Sequence, residues 1–82
     1  MDRYYLIVFK NTMDAIKAEE ILKKENIKIA IMPTPTYITQ SCGISIKFDE
    51  KEWDKIKDTI DKGLITPKNI YLREGQQAKQ IL

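Results

Sequence analysis

Residues 4–9 form a continuous apolar run, Tyr-Tyr-Leu-Ile-Val-Phe, and this run constrains the fold more than any other segment. A strand that is apolar on both faces usually lies inside its sheet, with a neighbour on each side. The polar residues Lys10, Asn11 and Thr12 end the run, and Asn11 or Thr12 is a suitable N-cap for a helix. We therefore predict a central β-strand that leads directly into a helix.

The segment that follows changes from helical to strand periodicity. Small and apolar residues recur at helical spacing at Ala15, Ala18 and Leu22, which predicts an amphipathic helix that ends near Asn26. Residues 27–31 then alternate between isoleucine and Lys or Ala, as expected for a half-buried strand. Two prolines, Pro33 and Pro35, should end this strand because proline cannot donate to a sheet ladder.

The second half of the chain repeats this order. Residues 44–48 alternate as a third strand, and Asp49 followed by Glu52 resembles the start of a capping box. A helical stripe is then formed by Trp53, Ile56, Ile60 and Leu64. Residues 69–73 have the composition of a short last strand, while residues 74–82 have only a weak apolar end.

The order β-α-β-β-α-β predicts an α+β fold of the ferredoxin-like type. In this arrangement a four-stranded antiparallel sheet has strands one and three at its centre and two helices on one face. We expect a single domain over residues 1–73 and a C-terminal tail over residues 74–82 that is frayed or forms a short helix.

The composition excludes several functional classes. The 82 residues carry 14 basic and 12 acidic side chains, so a formal charge of +2 offers little attraction for nucleic acid or an acidic membrane. One cysteine cannot form an internal disulfide framework, and the lack of histidine disfavours a zinc site. The apolar run at residues 4–9 is too short for a signal peptide or a membrane span. We expect a cytoplasmic protein with a reduced thiol and no metal or cofactor.

The loop over residues 33–43 holds the best candidates in the sequence for a reactive site. It contains Pro33, Pro35, Ser41 and Gly43, and it includes the one cysteine, Cys42. In the predicted topology this loop shares a sheet edge with the end of the first strand, so Cys42 should lie near the amides of Thr12, Met13 and Asp14, with Lys10 and Lys68 as neighbours. A helix N-terminus favours an anion and would lower the pKa of a thiol. Gly43 would permit a turn and close approach to the sulfur.

Two interpretations of Cys42 stay open at this point. Without a histidine or a second cysteine, its reactivity is limited to single-thiolate chemistry, which means a persulfide or its selenium equivalent, a mixed disulfide, or oxidation. Alternatively, Cys42 is a small apolar residue at the head of a strand, since free cysteine is commonly buried.

Three segments together resemble a known family. They are residues 9–19 (Phe-Lys-Asn-Thr-Met-Asp-Ala-Ile-Lys-Ala-Glu), residues 31–35 (Ile-Met-Pro-Thr-Pro) and residues 41–44 (Ser-Cys-Gly-Ile). The chain resembles, over residues 4–73, the selenium/sulfur-carrier-like family of small bacterial domains, some of which are joined to a sulfur-carrier domain in proteins assigned to selenium metabolism. The resemblance implies that Cys42 is a carrier thiol beside Gly43, framed by Pro33 and Pro35, and that donor and acceptor proteins are its partners.

The sheet face without helices suggests other functions. It should carry Lys28, Ala30, Ser45, Lys47 and Tyr71, together with either Tyr4, Leu6 and Val8 or Tyr5, Ile7 and Phe9. Either set leaves an apolar stripe, and such a patch often marks association, so an interaction module that forms a homodimer is the main alternative. RNA binding is disfavoured because the third strand lacks the paired aromatic residues of an RNP1 motif. A small-molecule regulatory domain is a third alternative.

Our leading expectation is a non-enzymatic carrier or accessory protein that uses Cys42.

Overall fold

The computed structural model describes residues 3–34, 43–75 and 77–81. Its elements, in chain order, are β1 Arg3–Val8, α1 Thr12–Lys24, β2 Ala30–Pro33, β3 Ile44–Phe48, a 3-10 turn Glu50–Glu52, α2 Trp53–Asp61, β4 Asn69–Glu74 and β5 Gln77–Gln80. In the described residues, neither helix has the length and apolarity needed to cross a membrane.

The strands form one sheet in the order β2-β3-β1-β4-β5. Every neighbouring pair is antiparallel. The apolar run of β1 lies at the middle of the sheet between β3 and β4, as its composition predicts. The α+β class and the antiparallel sheet are therefore confirmed, but the sheet has five strands rather than the expected four.

The hydrophobic core lies on the face to which Tyr5 and Ile7 point. It joins this face of β1 to the buried side of α1, which presents Ala15, Ala18 and Leu22, and to Ile56 of α2. Both helices therefore cover the same face of the sheet, as predicted. The alternation of β1 places Tyr4, Leu6 and Val8 on the other face.

The other face of the sheet differs from the expectation of an exposed apolar stripe. Leu6 and Val8 have no solvent exposure although both helices lie on the opposite side. Ser45 is equally inaccessible and is paired with Val8 in the β1–β3 register. On this face Tyr4 and Tyr71 are half-buried. The exposed apolar surface expected for association is therefore smaller than the sequence suggests.

An aromatic stack connects the sheet to α2. Tyr5 lies parallel to Phe48 with 5.1 Å between ring centroids, and parallel to Trp53 at 5.2 Å. Phe48 and Trp53 complete the group at 6.2 Å. Because the three rings come from β1, β3 and α2, their packing fixes the start of α2 against two strands.

Helix α1 has well-defined ends. Asn11 is the N-cap, and its side-chain oxygen accepts a hydrogen bond from the amide of Asp14 at 2.8 Å. At the other end Asn26 adopts a left-handed conformation with φ of 62°. The amides of Asn26 and Ile27 then donate to the carbonyls of Lys23 and Leu22, as in a Schellman motif.

The predicted capping box of Asp49 and Glu52 does not form at the start of the second helical segment. Asp49 does cap a turn, since its carboxylate accepts from the amide of Lys51 at 3.1 Å, but the turn is a 3-10 turn that precedes α2. Glu52 does not complete the box. Its carboxylate instead accepts from the amide of Lys28 at 3.2 Å. Glu52 therefore ties α2 to the chain that enters β2, a contact across 24 residues of sequence.

The predicted stripe of α2 is also only partly correct. Ile56 is buried, but α2 ends at Asp61 and Leu64 is exposed. Gly63 provides the reason, because its φ of 74° ends the helix in the conformation that glycine adopts most readily. Thr59 takes a buried position instead, and its hydroxyl donates to the carbonyl of Ile56 at 2.7 Å.

Strand β2 is shifted relative to its prediction. The isoleucine alternation placed it at residues 27–31, whereas pairing with β3 runs from Ala30 to Pro33. The amide of Ile27 is used by the end of α1, so the chain leaves the helix before it reaches the sheet. The strand ends at Pro33, as predicted, and an edge strand tolerates proline as its last residue.

The C-terminal segment forms a strand rather than a frayed tail or a short helix. β5 pairs with β4 from Glu74↔Gln77 to Tyr71↔Gln80. The connection begins at Gly75, whose φ of 57° suits a tight hairpin turn. Arg73 donates from Nε to the carbonyl of Gly75 at 3.3 Å, and Ile81 packs against the core. These contacts hold a segment that has little apolar content of its own.

Candidate functional site

At the base of the predicted reactive loop, β2 and β3 are paired as antiparallel strands. Pro33 at the end of β2 is opposite Ile44 at the start of β3. One residue further out, the amide of Thr34 donates to the carbonyl of Gly43 at 3.1 Å. Residues 35–42, which include Pro35, Ser41 and Cys42, lie outside the described residues. The sheet therefore fixes the positions at which this loop leaves and re-enters β2 and β3.

A pair of hydroxyl groups lies at this base. Thr34 Oγ1 and Ser45 Oγ are 2.6 Å apart, which is hydrogen-bonding distance. Ser45 is completely buried, whereas Thr34 is partly accessible. We call Thr34, Gly43 and Ser45 the loop base. A buried hydroxyl is costly without a partner, so this bond holds the two strands in register at the point where the loop begins.

The end of β1 and the start of α1 meet the loop base at the same edge of the sheet. Val8 is paired with Ser45 in one direction and with Asn69 in the other. The amide of Lys68 also donates to the carbonyl of Val8 at 2.8 Å. Lys10 and the cap of α1, Asn11, follow Val8 after one intervening residue, Phe9. The topology expected from the sequence thus does bring these segments together.

The N-terminus of α1 offers fewer amides than the sequence argument assumed. The sequence predicts that Cys42 lies near the amides of Thr12, Met13 and Asp14. The amide of Asp14 is already bonded to the side chain of Asn11. The first-turn amides of Thr12 and Met13 are therefore the ones left to consider for an anion, since the early amides of a helix lack partners within the helix. Thr12 and Asn11 are both exposed.

The expected role of Gly43, close approach to the sulfur of Cys42, concerns a residue outside the described part of the chain. Gly43 itself is exposed, and it is not among the described residues with positive φ. A Cβ built on Gly43 would meet no described atom within 4 Å. The described part of the chain therefore gives no steric or conformational reason for glycine at this position. Its observed contribution is the carbonyl that accepts from Thr34.

The remaining predicted site residues lie as follows. Pro33 is exposed at the end of β2, and Lys10 is exposed beyond the end of β1. The interpretations that rest on Cys42, Ser41 and Pro35 concern residues outside the described part of the chain. In residues 3–34, 43–75 and 77–81, no three Asp or Glu side chains are grouped so that they could hold a metal ion.

Sequence reasoning missed the hydroxyl pair of Thr34 and Ser45. The only available signal was a serine at a position whose neighbours, Ile44 and Ile46, belong to a predicted strand. That position was assigned to the open face and was expected to be accessible. Its burial depends on the register between β2 and β3, which short alternating segments define only weakly.

The comparison with known families settles the family of the chain. The sequence model of the family described as "Putative Se/S carrier protein-like" matches residues 4–72. The chain belongs to this family. The matched region runs from β1 into β4 and contains the loop base, the cap of α1 and Cys42. The resemblance inferred from the Pro-Thr-Pro and Cys-Gly segments is therefore confirmed at the level of the family.

One relative of this chain is a considerably longer protein. An uncharacterized protein of Methanocaldococcus jannaschii is 36% identical over 62 residues, which are 76% of this chain but 31% of the relative. The chain thus spans about a third of the length of that protein. No solved structure gives a significant match.

Proposed function

We propose that this protein carries sulfur or selenium on the thiol of Cys42, as a non-enzymatic accessory protein in the cytoplasm. The observation that supports this proposal most is the arrangement at the loop base. The family match spans the loop. The sheet anchors both ends of the loop, where the amide nitrogen of Thr34 lies 3.1 Å from the carbonyl oxygen of Gly43. Lys10, the N-terminus of α1 and the start of β4 lie at the same edge. Positive charge and helix amides at this edge would favour a thiolate.

The proposed transfer needs no external oxidant. The thiolate of Cys42 attacks the outer sulfur of a persulfide on a donor protein, and a new S–S bond forms as the bond within the donor persulfide breaks. The donor leaves as a thiolate, so Cys42 becomes the persulfide without net oxidation or reduction. A thiolate of the acceptor protein removes the outer sulfur in the same way. Selenium would follow the same course.

The test combines thiol reactivity with adduct formation. The rate of alkylation by iodoacetamide, measured against pH, should report an apparent pKa for Cys42 below the free value of about 8.5. After incubation with a cysteine or selenocysteine lyase and its substrate, the intact mass should rise by about 32 or 79 Da, one sulfur or selenium atom. Cys42→Ser is the matched control and should show neither effect, since it removes the one thiol of the chain. An apparent pKa of about 8.5 or above together with no adduct would contradict the proposal.

A second proposal is an interaction module that pairs through the sheet face opposite the helices. Its support is that Tyr4, Met32 and Tyr71 remain partly accessible on this face. Light scattering on the wild type and on Cys42→Ser separates the two proposals, because pairing through the sheet does not need the thiol. A monomer at all concentrations in both proteins would exclude the homodimer.

We also propose that β1–β4 and the two helices form a ferredoxin-like unit to which β5 is added. The order β2-β3-β1-β4, with both helices on one face, supports this classification. An experimental structure that shows a different strand order would refute it.

A further inference from the structure

A groove lies at the end of the sheet opposite the loop base. Its volume is about 350 Å³, within the range of small-ligand sites. It is lined where β1 and β2 begin and where β3 ends, so Tyr4 and Lys47 belong to its wall. The loop base lies at the other end of β3, at Gly43. The groove is therefore distinct from the proposed carrier site.

The lining of the groove carries a net positive charge. Four of its lining residues are basic, Arg3, Lys28, Lys47 and Lys51, and two are acidic, Asp49 and Glu52. This excess of two positive charges equals the formal charge of the whole chain, +2. Basic and acidic side chains are balanced over the rest of the molecule. A concave surface with an excess of one sign of charge raises the local concentration of ions of the opposite sign.

The acidic groups near the groove each have a partner on the protein, and Asp49 accepts from the amide of Lys51 at 3.1 Å, but of these described residues only Glu50 is neutralised by an ion pair. Arg3 forms an ion pair with Glu50 at 3.1 Å. Glu52 is buried, and its carboxylate accepts from the backbone amide of Lys28 rather than from an ammonium group. In the described part of the chain, the ammonium groups of Lys28, Lys47 and Lys51 form no ion pair with a carboxylate.

One of these lysines is also held in place. The ammonium group of Lys47 lies 4.6 Å from the centroid of the Tyr4 ring, which is a favourable cation–π position. Lys47 is part of β3, an interior strand, so its backbone is fixed on both sides. An ammonium group with a defined place requires less ordering when an anion binds.

We propose that this groove binds a small organic phosphate in its dianionic form. Three lysines without carboxylate partners match a group with more than one negative charge, and lysine binds phosphate as a point charge. Ile29, Ala30 and Phe48 supply apolar wall for the organic part. The size of the groove and the balanced charge elsewhere favour a small molecule over a nucleic acid, which needs an extended basic surface.

The test is an NMR titration of the 15N-labelled Cys42→Ser protein, so that the result does not depend on thiol chemistry. The probes are adenosine monophosphate, adenosine and inorganic phosphate, each at low salt. We expect adenosine monophosphate to shift the amide signals of residues around the groove and to bind at least about tenfold more tightly than adenosine. Binding should strengthen between pH 5 and 7, because the second ionisation of a phosphate monoester lies near about pH 6.

Paired variants locate the site. Lys28→Gln with Lys47→Gln should weaken binding of adenosine monophosphate about tenfold, since two charges that face the phosphate are lost. The control, Lys55→Gln with Lys57→Gln, removes the same charge from exposed positions of α2 that do not line the groove and should leave the affinity unchanged. Equal weakening in both variants would show nonspecific attraction and would overturn the proposal. Equal affinity for adenosine and its monophosphate, or for the monophosphate and inorganic phosphate, would also overturn it.

Discussion

At the scale of single residues, the bond between Thr34 and Ser45 is the contact most specific to the loop base. Ser45→Ala should lower the free energy of unfolding by about 1–2 kcal/mol, because the partly buried hydroxyl of Thr34 loses its partner. Thr34→Val should have a similar effect alone. Urea denaturation of both single variants and the double variant measures their coupling. A double variant whose loss is the sum of the single losses would contradict a direct bond.

The cap of α1 is a second residue-level test. Asn11→Ala should destabilise the protein by about 1 kcal/mol, since the amide of Asp14 then has no side-chain acceptor. Asn11→Asp is the control, because it keeps an acceptor and adds a charge that suits a helix N-terminus. The measurement is again urea denaturation. Equal stability of Asn11→Ala and wild type would show that the cap contributes little.

Local residue chemistry could be predicted where cause and effect lie close in sequence. The residues at the end of β1 predict either Asn11 or Thr12 as the cap, and Asn11 is the cap observed. Glu52 was assigned to a capping box by the same reasoning, but its partner is the amide of Lys28, 24 residues away. No local pattern contains such a contact.

At the scale of elements, the aromatic stack of Tyr5, Phe48 and Trp53 links the sheet to the start of α2. Trp53→Leu should lower the free energy of unfolding by about 1–3 kcal/mol, through lost ring contacts and lost buried area. Tyr71→Leu changes an aromatic residue on the other face of the sheet and serves as the control. Far-UV circular dichroism in urea measures both. A larger loss for the control would contradict the importance assigned to the stack.

The elements that sequence reasoning misplaced are those at the two edges of the sheet. β1 is apolar on both faces, and this pattern located it correctly in the interior. β2 and β5 each contact one neighbouring strand, so their own composition is under weaker constraint. β5 depends on the turn at Gly75 and on the contact of Ile81 with the core, and neither is visible as alternation in residues 77–80.

At the scale of the whole molecule, removal of β5 tests how much of the chain the fold requires. A chain that ends at Gly75 should fold with the same circular dichroism as the full protein and lose about 1–2 kcal/mol of stability, the share of one partly buried side chain and its strand. Ile81→Ala in the full chain is the matched control for the side chain alone. An unfolded truncated chain beside a stable Ile81→Ala variant would show that β5 is essential to the sheet.

The two ends of β3 set a fixed distance within the protein. Ile44 adjoins the loop base and Phe48 lines the groove, and four residue steps of about 3.3 Å separate them by about 13 Å. β3 is bonded to strands on both sides, so this separation cannot shorten. The outer ends of the groove and of the loop base are therefore held apart, while Ser45 of the loop base and Lys47 of the groove wall are two residue steps, about 7 Å, from each other. Taken together, the two proposals describe an adaptor with two ends, held at one end by a small ligand while a second protein approaches the other.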